Sequence, residues 1–338
     1  MNSNIDWELQ QRKKAYWKTC FLTLALLFIF CLNLAGLFLG SVIYEESSII
    51  FSQMKTQNRN NSLQQLLNKG AANYQWENIS ISSPFGYLLS GTFIPNATPT
   101  HKTIIFLHGF TENRTIGLYY LEIYLRAGFN VLLVDSRAHG ESGGDSVTWG
   151  SLEKYDLDQW VNWLTQRIPN GAIGIHGLSM GAATALLHAE LNEENKRVSF
   201  YVADSPYSDF EALLSLYVRQ YLYPYMATLD YPWLADLDIA SILLPYANLV
   251  SYFHSRSTFH EASPLQSVRH VTTPILYLHG EADKLIPASM SLELQQATKG
   301  PSQLYLFANS NHGTAIFDNH RQYTQVVQHF LQTIGELG

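Results

Sequence analysis

The chain has 338 residues, of which 46% are hydrophobic, 13% aromatic and 14% charged, with a formal net charge of -7. That acidic balance, with no Lys/Arg-rich run beyond the first twenty residues, disfavours a nucleic-acid partner. The length is ample for a large core and permits one α/β domain or two.

From Thr19 to Tyr44 run 26 residues without a charge, mostly Leu, Phe, Ile and Val. As a helix they extend about 39 Å, enough to cross a bilayer. Arg12, Lys13, Lys14 and Lys18 precede the stretch and Glu45 and Glu46 follow it. The positive-inside rule then keeps residues 1–18 cytoplasmic and exports everything beyond residue 44, so a single-pass protein with its remainder in the periplasm or outside is expected. A cleaved signal peptide would carry a shorter apolar core ending at a small-x-small site, and none is evident. Phe28, Ile29 and Phe30 before Cys31 do not suit lipid attachment. Both cysteines, Cys20 and Cys31, lie inside the apolar stretch, so the exported part can form no disulfide and no zinc–cysteine site.

Residues 45–73, rich in Asn, Gln and Ser, read as a juxtamembrane spacer, with Leu63, Leu66 and Leu67 at the spacing of one short helix. The Asn-x-Ser/Thr matches at Asn60, Asn78, Asn96 and Asn113 are read as chance. Residues 74–338 then alternate apolar strands with helices. Trp76 to Ser82 and Tyr87 to Ile94 form a leading hairpin. Further strands are expected at Thr103 to Leu107, Asn130 to Val134, Ala172 to His176, Phe200 to Ala203, Ile275 to Leu278 and Gln303 to Phe307. Helical periodicity fills Ile116 to Ala127, Leu152 to Arg167, Gly181 to Leu191, Ala288 to Thr298 and Arg321 to Ile334. Continuous apolar strands alternating with helices predict an α/β fold, a mostly parallel sheet covered on both faces.

Gly177-Leu178-Ser179-Met180-Gly181 joins the strand ending at His176 directly to the helix opening at Ala182. A serine on so sharp a strand-to-helix turn has its Oγ lifted clear of the sheet edge, within reach of a histidine that can activate it. The flanking glycines remove side chains that would collide with the neighbouring backbone. A second copy of the pattern, Gly140-Glu141-Ser142-Gly143-Gly144, is separated from its strand and opens poorly into a helix. Ser179 is therefore the favoured nucleophile.

The reactive crevice of such a sheet lies outside the carboxyl ends of its strands. His108-Gly109, Asp135, His176-Gly177, Asp204, His279-Gly280 with Asp283, and His312-Gly313 all fall there. These runs, with Phe106-Leu107-His108-Gly109-Phe110, Leu278-His279-Gly280-Glu281-Ala282-Asp283 and Asn311-His312-Gly313, resemble the α/β-hydrolase superfamily from about Trp76 onward. More narrowly, they resemble its bacterial membrane-anchored or surface-exposed serine hydrolases. The resemblance implies the α/β-hydrolase fold and acyl-transfer chemistry, shared by esterases, lipases, thioesterases and peptidases.

It also implies the order Ser, Asp, His. His312, in a polar loop after the last strand, is the expected base, while His320 and His329 sit on the C-terminal helix pattern. Asp283 matches the acid position and is preferred to Asp204, whose following Ser205-Pro206 suggests a turn. Asp135 precedes the serine and is assigned to organising its loop with Arg137. The oxyanion needs two backbone N–H donors, for which Met180 and Phe110 are chosen, with Thr111 as the fallback for the second.

The five His-Gly pairs raise a metal-hydrolase reading, but no His-x-His or His-x-x-x-His pair supports it. No metal or organic cofactor is expected, and His176 and His279 are read as buried and hydrogen-bonded. The insertion from about 210 to 263 is expected to cap the crevice. Its Tyr217, Tyr221, Tyr223, Tyr225, Tyr231, Trp233, Tyr246, Tyr252, Phe253 and Phe259 either line a pocket for an acyl or alkyl chain or make the cap's own core. The expected partners are a small-molecule or lipid-like acyl substrate and the membrane. The expected function is hydrolysis of a carboxylic ester or related acyl bond through an acyl-enzyme, with a peptidase, a thioesterase or a non-enzymatic tethered scaffold as the alternatives.

Overall fold

The computed structural model describes residues 2–50, 61–73, 75–226, 228 and 238–337. Asn60, Tyr231, Trp233 and spacer residues 51–60 lie outside the described residues, as do the side chains of Leu63, Tyr221, Tyr223 and Tyr225.

Helix α1 spans Asn2–Tyr44 and continues without a break through a π-helical segment, Glu45–Ile50. From Phe21 to Leu34 its large apolar side chains are exposed, as those of a helix seated in lipid would be. Helix α2, Asn61–Asn73, follows and buries Leu67 against the α/β domain.

Eight strands make one sheet: β1 (Glu77–Ser82), β2 (Leu88–Ile94), β3 (Thr103–Leu107), β4 (Asn130–Val134), β5 (Ile173–Leu178), β6 (Val198–Asp204), β7 (Ile275–Gly280) and β8 (Ser302–Phe307). Their order is β1-β2-β4-β3-β5-β6-β7-β8. The leading hairpin pairs antiparallel and β2 joins β4 antiparallel, while all remaining pairs are parallel. The chain runs outward from β3 to β4 and then returns across β3 to β5. The crevice at this reversal of strand order opens between the carboxyl ends of β3 and β5.

Every residue of β3 and β4 is buried, because helices cover both faces. Alternation along β3 sends Ile105 and Leu107 to one core with Trp160, Leu164 and Leu186, and Ile104 and Phe106 to the other with Tyr120, Phe129 and Phe330. On the first face lie α4 (Glu153–Arg167), α5 (Met180–Asn192) and α8 (Pro264–Val268). On the second lie α3 (Leu121–Arg126) and α11 (His320–Thr333). Helix α9, Ala288–Ala297, completes the β7–β8 crossover, and the short α10, Ala315–Asp318, precedes α11.

The helix expected from Ile116 to Ala127 is split into a 3-10 segment, Arg114–Tyr119, and α3. The cause is Gly117, which lies against the sheet so closely that a Cβ there would stand 2.6 Å from Leu133 and 2.8 Å from Phe106. The tighter turn, capped by the Asn113 side chain, fits that approach. Between β6 and β7 lie α6 (Phe210–Met226), α7 (Ile239–Ser255) and a 3-10 turn, Phe259–Glu261. These form a third core above the crevice with Trp149, Met180 and Ile286, and Tyr44 of α1 is buried in it.

Candidate active site

Ser179 stands between β5 and α5 at φ 54° and ψ -116°, a region that an L-residue occupies only under constraint. The constraint is visible on both sides. A Cβ on Gly177 would overlap the Gly181 backbone, and a Cβ on Gly181 would overlap the carbonyls of Leu107 and His108. The Ser179 amide donates to the Asp204 carbonyl at 2.7 Å, fixing the turn to β6.

His312 comes from the loop after β8. Its Nε2 lies 2.8 Å from Ser179 Oγ and its Nδ1 lies 2.7 Å from Asp283 Oδ2. Nδ1–H therefore donates to the carboxylate and Nε2 is left to accept from the serine hydroxyl. Asp283, from the loop after β7, has both oxygens fully engaged. Oδ1 accepts from the amides of Leu285 at 2.8 Å and Ile286 at 2.9 Å, while Oδ2 is shared by His312 and His279. Burial alone would raise the Asp283 pKa, but the hydrogen bonds from His279 and His312 and the charge on His312 outweigh it. The carboxyl is held below its usual range and stays ionised.

The structure thus brings Ser179, Asp283 and His312 into one hydrogen-bonded line and leaves the competitors outside it. Asp204 accepts from Ser205 Oγ at 2.9 Å and from Tyr323 O–H at 2.8 Å, and burial pushes its pKa up. Ser142 faces β2 rather than the crevice, its Oγ accepting from Ser90 N and donating to the Asp135 carbonyl. Asp135 does organise that loop, but its partner is Arg114 rather than Arg137. It accepts from the Arg114 amide and guanidinium and from the Glu141 amide. Arg137 instead packs over the rings of Phe85 and Tyr87.

Met180 follows the serine directly, and Phe110 lines the same cavity. Met180 opens α5, so its amide has no acceptor within the helix. Gly109, just before Phe110, approaches Ser179 closely enough that a Cβ on it would sit 3.4 Å from Ser179 Cβ. Thr111 follows at φ 66°.

Two other histidines of the His-Gly pairs, His176 and His279, have different surroundings. His176 is fully buried between the hydroxyls of Tyr124 and Tyr323, and burial depresses its pKa to about 3. Among the described residues no three His, Cys, Asp or Glu side chains converge as metal ligands do. His279 has a part that sequence reasoning missed. Its Nε2 reaches both Asp283 Oδ2 (3.1 Å) and the Ile286 carbonyl (2.9 Å), so it must carry the proton, while Nδ1 meets Ser291 Oγ at 2.7 Å. The spacing of four residues to Asp283 was the available signal.

A cavity of about 950 Å³ opens above Ser179 and His312. Phe110, Trp149, Leu178, Phe210, Leu213, Leu214, Tyr217, Ile286 and Phe317 make it largely apolar, and Val42, Ile43, Glu46 and Ser47 close one side. Of the insertion's aromatics named from sequence, Tyr217 lines this cavity. Phe259 packs on Phe210 and Tyr44 in the third core, and Tyr246 packs on α1.

A strand-elbow serine, a carboxylate and a histidine in this chain order on this sheet define a class, the α/β hydrolases. Residues 104–326 match the model of the alpha/beta hydrolase family, and the chain belongs to that family. It is similar to the uncharacterized protein YqkD of Bacillus subtilis, 35% identical over 259 residues that cover 76% of this chain and 79% of that protein. Among solved structures it resembles the Pyrococcus furiosus esterase Pf2001, at 28% identity and TM-score 0.58, covering 76% of this chain and 92% of that one. A lysophosphatidylserine lipase, ABHD12 of Macaca fascicularis, is 25% identical over 58% of this chain, a match spanning only 45% of the lipase.

Proposed function

We propose that the protein is a membrane-anchored serine hydrolase that cleaves a carboxylic ester, with α1 as a single-pass anchor and the catalytic domain exported. The observation that carries the chemistry is the hydrogen-bonded line from Ser179 Oγ through His312 to the ionised Asp283, set under a largely apolar cavity. The esterase and lipase resemblances support an acyl ester as the substrate.

In this reading Ser179 Oγ attacks the acyl carbon as His312 Nε2 takes its proton. Asp283 holds the ring in the required tautomer and stabilises the imidazolium that forms. The amides of Met180 and Phe110 hold the oxyanion, and loss of one such donor typically costs about 2.7–4 kcal/mol of barrier stabilisation. His312 then protonates the leaving alcohol, and a water activated by the same nitrogen releases the acid. No step calls for a metal or an organic cofactor. The anchor reading is supported by the charge-free length of α1, by the cations before it and by the exposure of its apolar side chains.

The test is fluorophosphonate labelling of the full chain, with nitrophenyl esters of increasing chain length and matched amides and thioesters. Labelling at Ser179 with ester turnover is expected. A folded protein that neither labels nor turns over any of the substrates would remove the serine-hydrolase reading.

A further inference from the structure

Helix α7 lacks the polar outer face that a helix on a soluble surface carries. From Ile239 to Ser255 it contains no Asp, Glu, Lys or Arg. Ala240, Leu244, Ala247, Ser251 and Ser255 face the domain and are buried, while the opposite stripe exposes Ile242 (50%), Leu249 (44%) and Phe253 (66%). By contrast α11, of similar length, exposes Arg321, Gln322, Gln325 and His329. A helix apolar all round needs cover on every side.

The position of α7 indicates what covers it. It packs along the end of α1, with small residues at the contact. A Cβ on Gly40 would stand 2.7 Å from the Tyr246 backbone and one on Gly36 would stand 2.6 Å from the Tyr246 ring. Gly36-x-x-x-Gly40 thus admits α7 as closely as such spacings admit partner helices in lipid. Tyr246 O–H also reaches Asn33 Oδ1 at 3.0 Å. Four residues beyond Gly40, Tyr44 stacks on His254 at 4.9 Å. At their C-terminal ends both helices meet polar groups together, Glu45 and Glu46 on α1 and His254 and Arg256 on α7, while at the other end of α7 the N-cap Asp238 is neutralised by Arg219 at 3.1 Å. The exposed face of α7 continues the lipid-facing surface of α1 up to a shared boundary.

Resting on the reading of α1 as an anchor and Ser179 as a nucleophile, we propose that α7 is seated in the leaflet that α1 leaves at Tyr44, so that the cavity takes a long-chain acyl amphiphile directly from that leaflet. Val42 and Ile43, the last apolar turn of α1, are also wall residues of the cavity that holds Ser179. The anchor and the acyl site share a surface at the depth where ester carbonyls of membrane amphiphiles lie. The chain end enters past Val42 and Ile43 toward Phe210 and Leu214 while the head stays near Glu46.

The test uses the full chain with Cys20→Ala and Cys31→Ala, reconstituted in phosphatidylcholine nanodiscs, with a nitroxide placed singly through Phe30→Cys, Leu249→Cys, Phe253→Cys or Leu292→Cys. Oxygen should relax the labels at 249 and 253 more than a water-soluble nickel chelate does, as at position 30, and the order should reverse at the exposed α9 position 292. In parallel, Leu249→Lys with Phe253→Lys should slow turnover of a long-chain ester carried in the bilayer about tenfold and leave a soluble short-chain ester unaffected. Nickel access at 249 and 253 equal to that at 292, with position 30 in lipid, overturns the proposal while leaving the anchor intact. Spin–spin broadening between copies at 253 overturns it in favour of a dimer face, and equal loss on both esters overturns the entry route. Absence of any fluorophosphonate labelling would instead count against the nucleophile, because the label depths do not depend on activity.

Discussion

The two copies of Gly-x-Ser-x-Gly, at 177–181 and 140–144, place their serines in opposite circumstances. Ser142 spends both its accepting and its donating capacity inside the fold, on Ser90 N at 2.9 Å and on the Asp135 carbonyl at 2.7 Å. Ser179 is held at φ 54° by glycines that no larger residue could replace, and among the described residues its Oγ meets a histidine alone, at the floor of a cavity. Each serine also has its carboxylate. Asp135 neutralises the buried Arg114 and ties down a loop, whereas Asp283 holds a ring that faces solvent. Identical spacing therefore produces a knot in one place and a hydrogen-bonded line in the other, and the distinction lies in whether the serine's hydrogen bonds are completed by the surrounding backbone or directed to a histidine.

The largest expected effect separates the serines. Ser179→Ala should abolish fluorophosphonate labelling and lower ester turnover by about 10⁶-fold, as loss of a nucleophile typically does. Ser142→Ala should label normally, and turnover lost equally in both variants would break the comparison.

The carboxylates should separate in kind. Asp283→Asn presents an amide to His312 and disfavours the tautomer that accepts the serine proton, so kcat should fall about 10⁴-fold with little change in unfolding. Asp135→Asn removes the buried counter-charge of Arg114, 4% exposed, and leaves its guanidinium the exposed carboxylate of Glu141 alone. Stability should fall by about 3 kcal/mol in urea, the lower end of the cost of breaking a buried ion pair, while each folded molecule keeps its turnover. Denaturation curves and active-site titration on the same samples distinguish the two outcomes.

Acid should weaken the region of Ser179 through His176, three residues upstream. Its pKa is depressed by burial to about 3, against about 6.5 in the unfolded chain. As pH falls below 6.5 the unfolded state takes up a proton that the native state does not, so stability present at neutral pH is lost as pH falls toward 3. Between pH 7 and 5 the share from this one group is about 2 kcal/mol. His176→Phe should flatten the slope of unfolding free energy over that interval, whatever it does to the absolute value. An unchanged slope would show that His176 is protonated in the fold.

Much of this was legible in the sequence because the signals are local. Strand-turn-helix at Ser179, apolar runs of strand length and His-Gly pairs at strand ends depend on neighbours within a few residues. What escaped depends on partners far along the chain. Asp135 was matched with Arg137, two residues away, when its counter-charge is Arg114, which the 3-10 turn after β3 delivers. Gly117 splits a helix whose periodicity looked continuous, since only the assembled sheet brings Leu133 and Phe106 against it. The close fit of Gly36 and Gly40 to α7 joins segments more than 200 residues apart. An apolar run read by composition carries no hint of such a pairing.

The smallest expected effect is also the sharpest for the comparison. Ser142→Ala removes one acceptor for Ser90 N and one donor to the Asp135 carbonyl at a half-buried site. Ser90 is half-buried, so water can replace its lost acceptor, whereas Asp135 is 1% exposed and its carbonyl loses a donor, so the cost should be about 1–3 kcal/mol rather than the full penalty for two orphaned groups. The substitution should lower the urea midpoint and leave the denaturant slope and the ester kinetics as they were. A loss above about 3 kcal/mol would mean that the loop at 140–144 is sealed from water and that its serine holds the β2 edge to the sheet far more firmly than two exchangeable hydrogen bonds can.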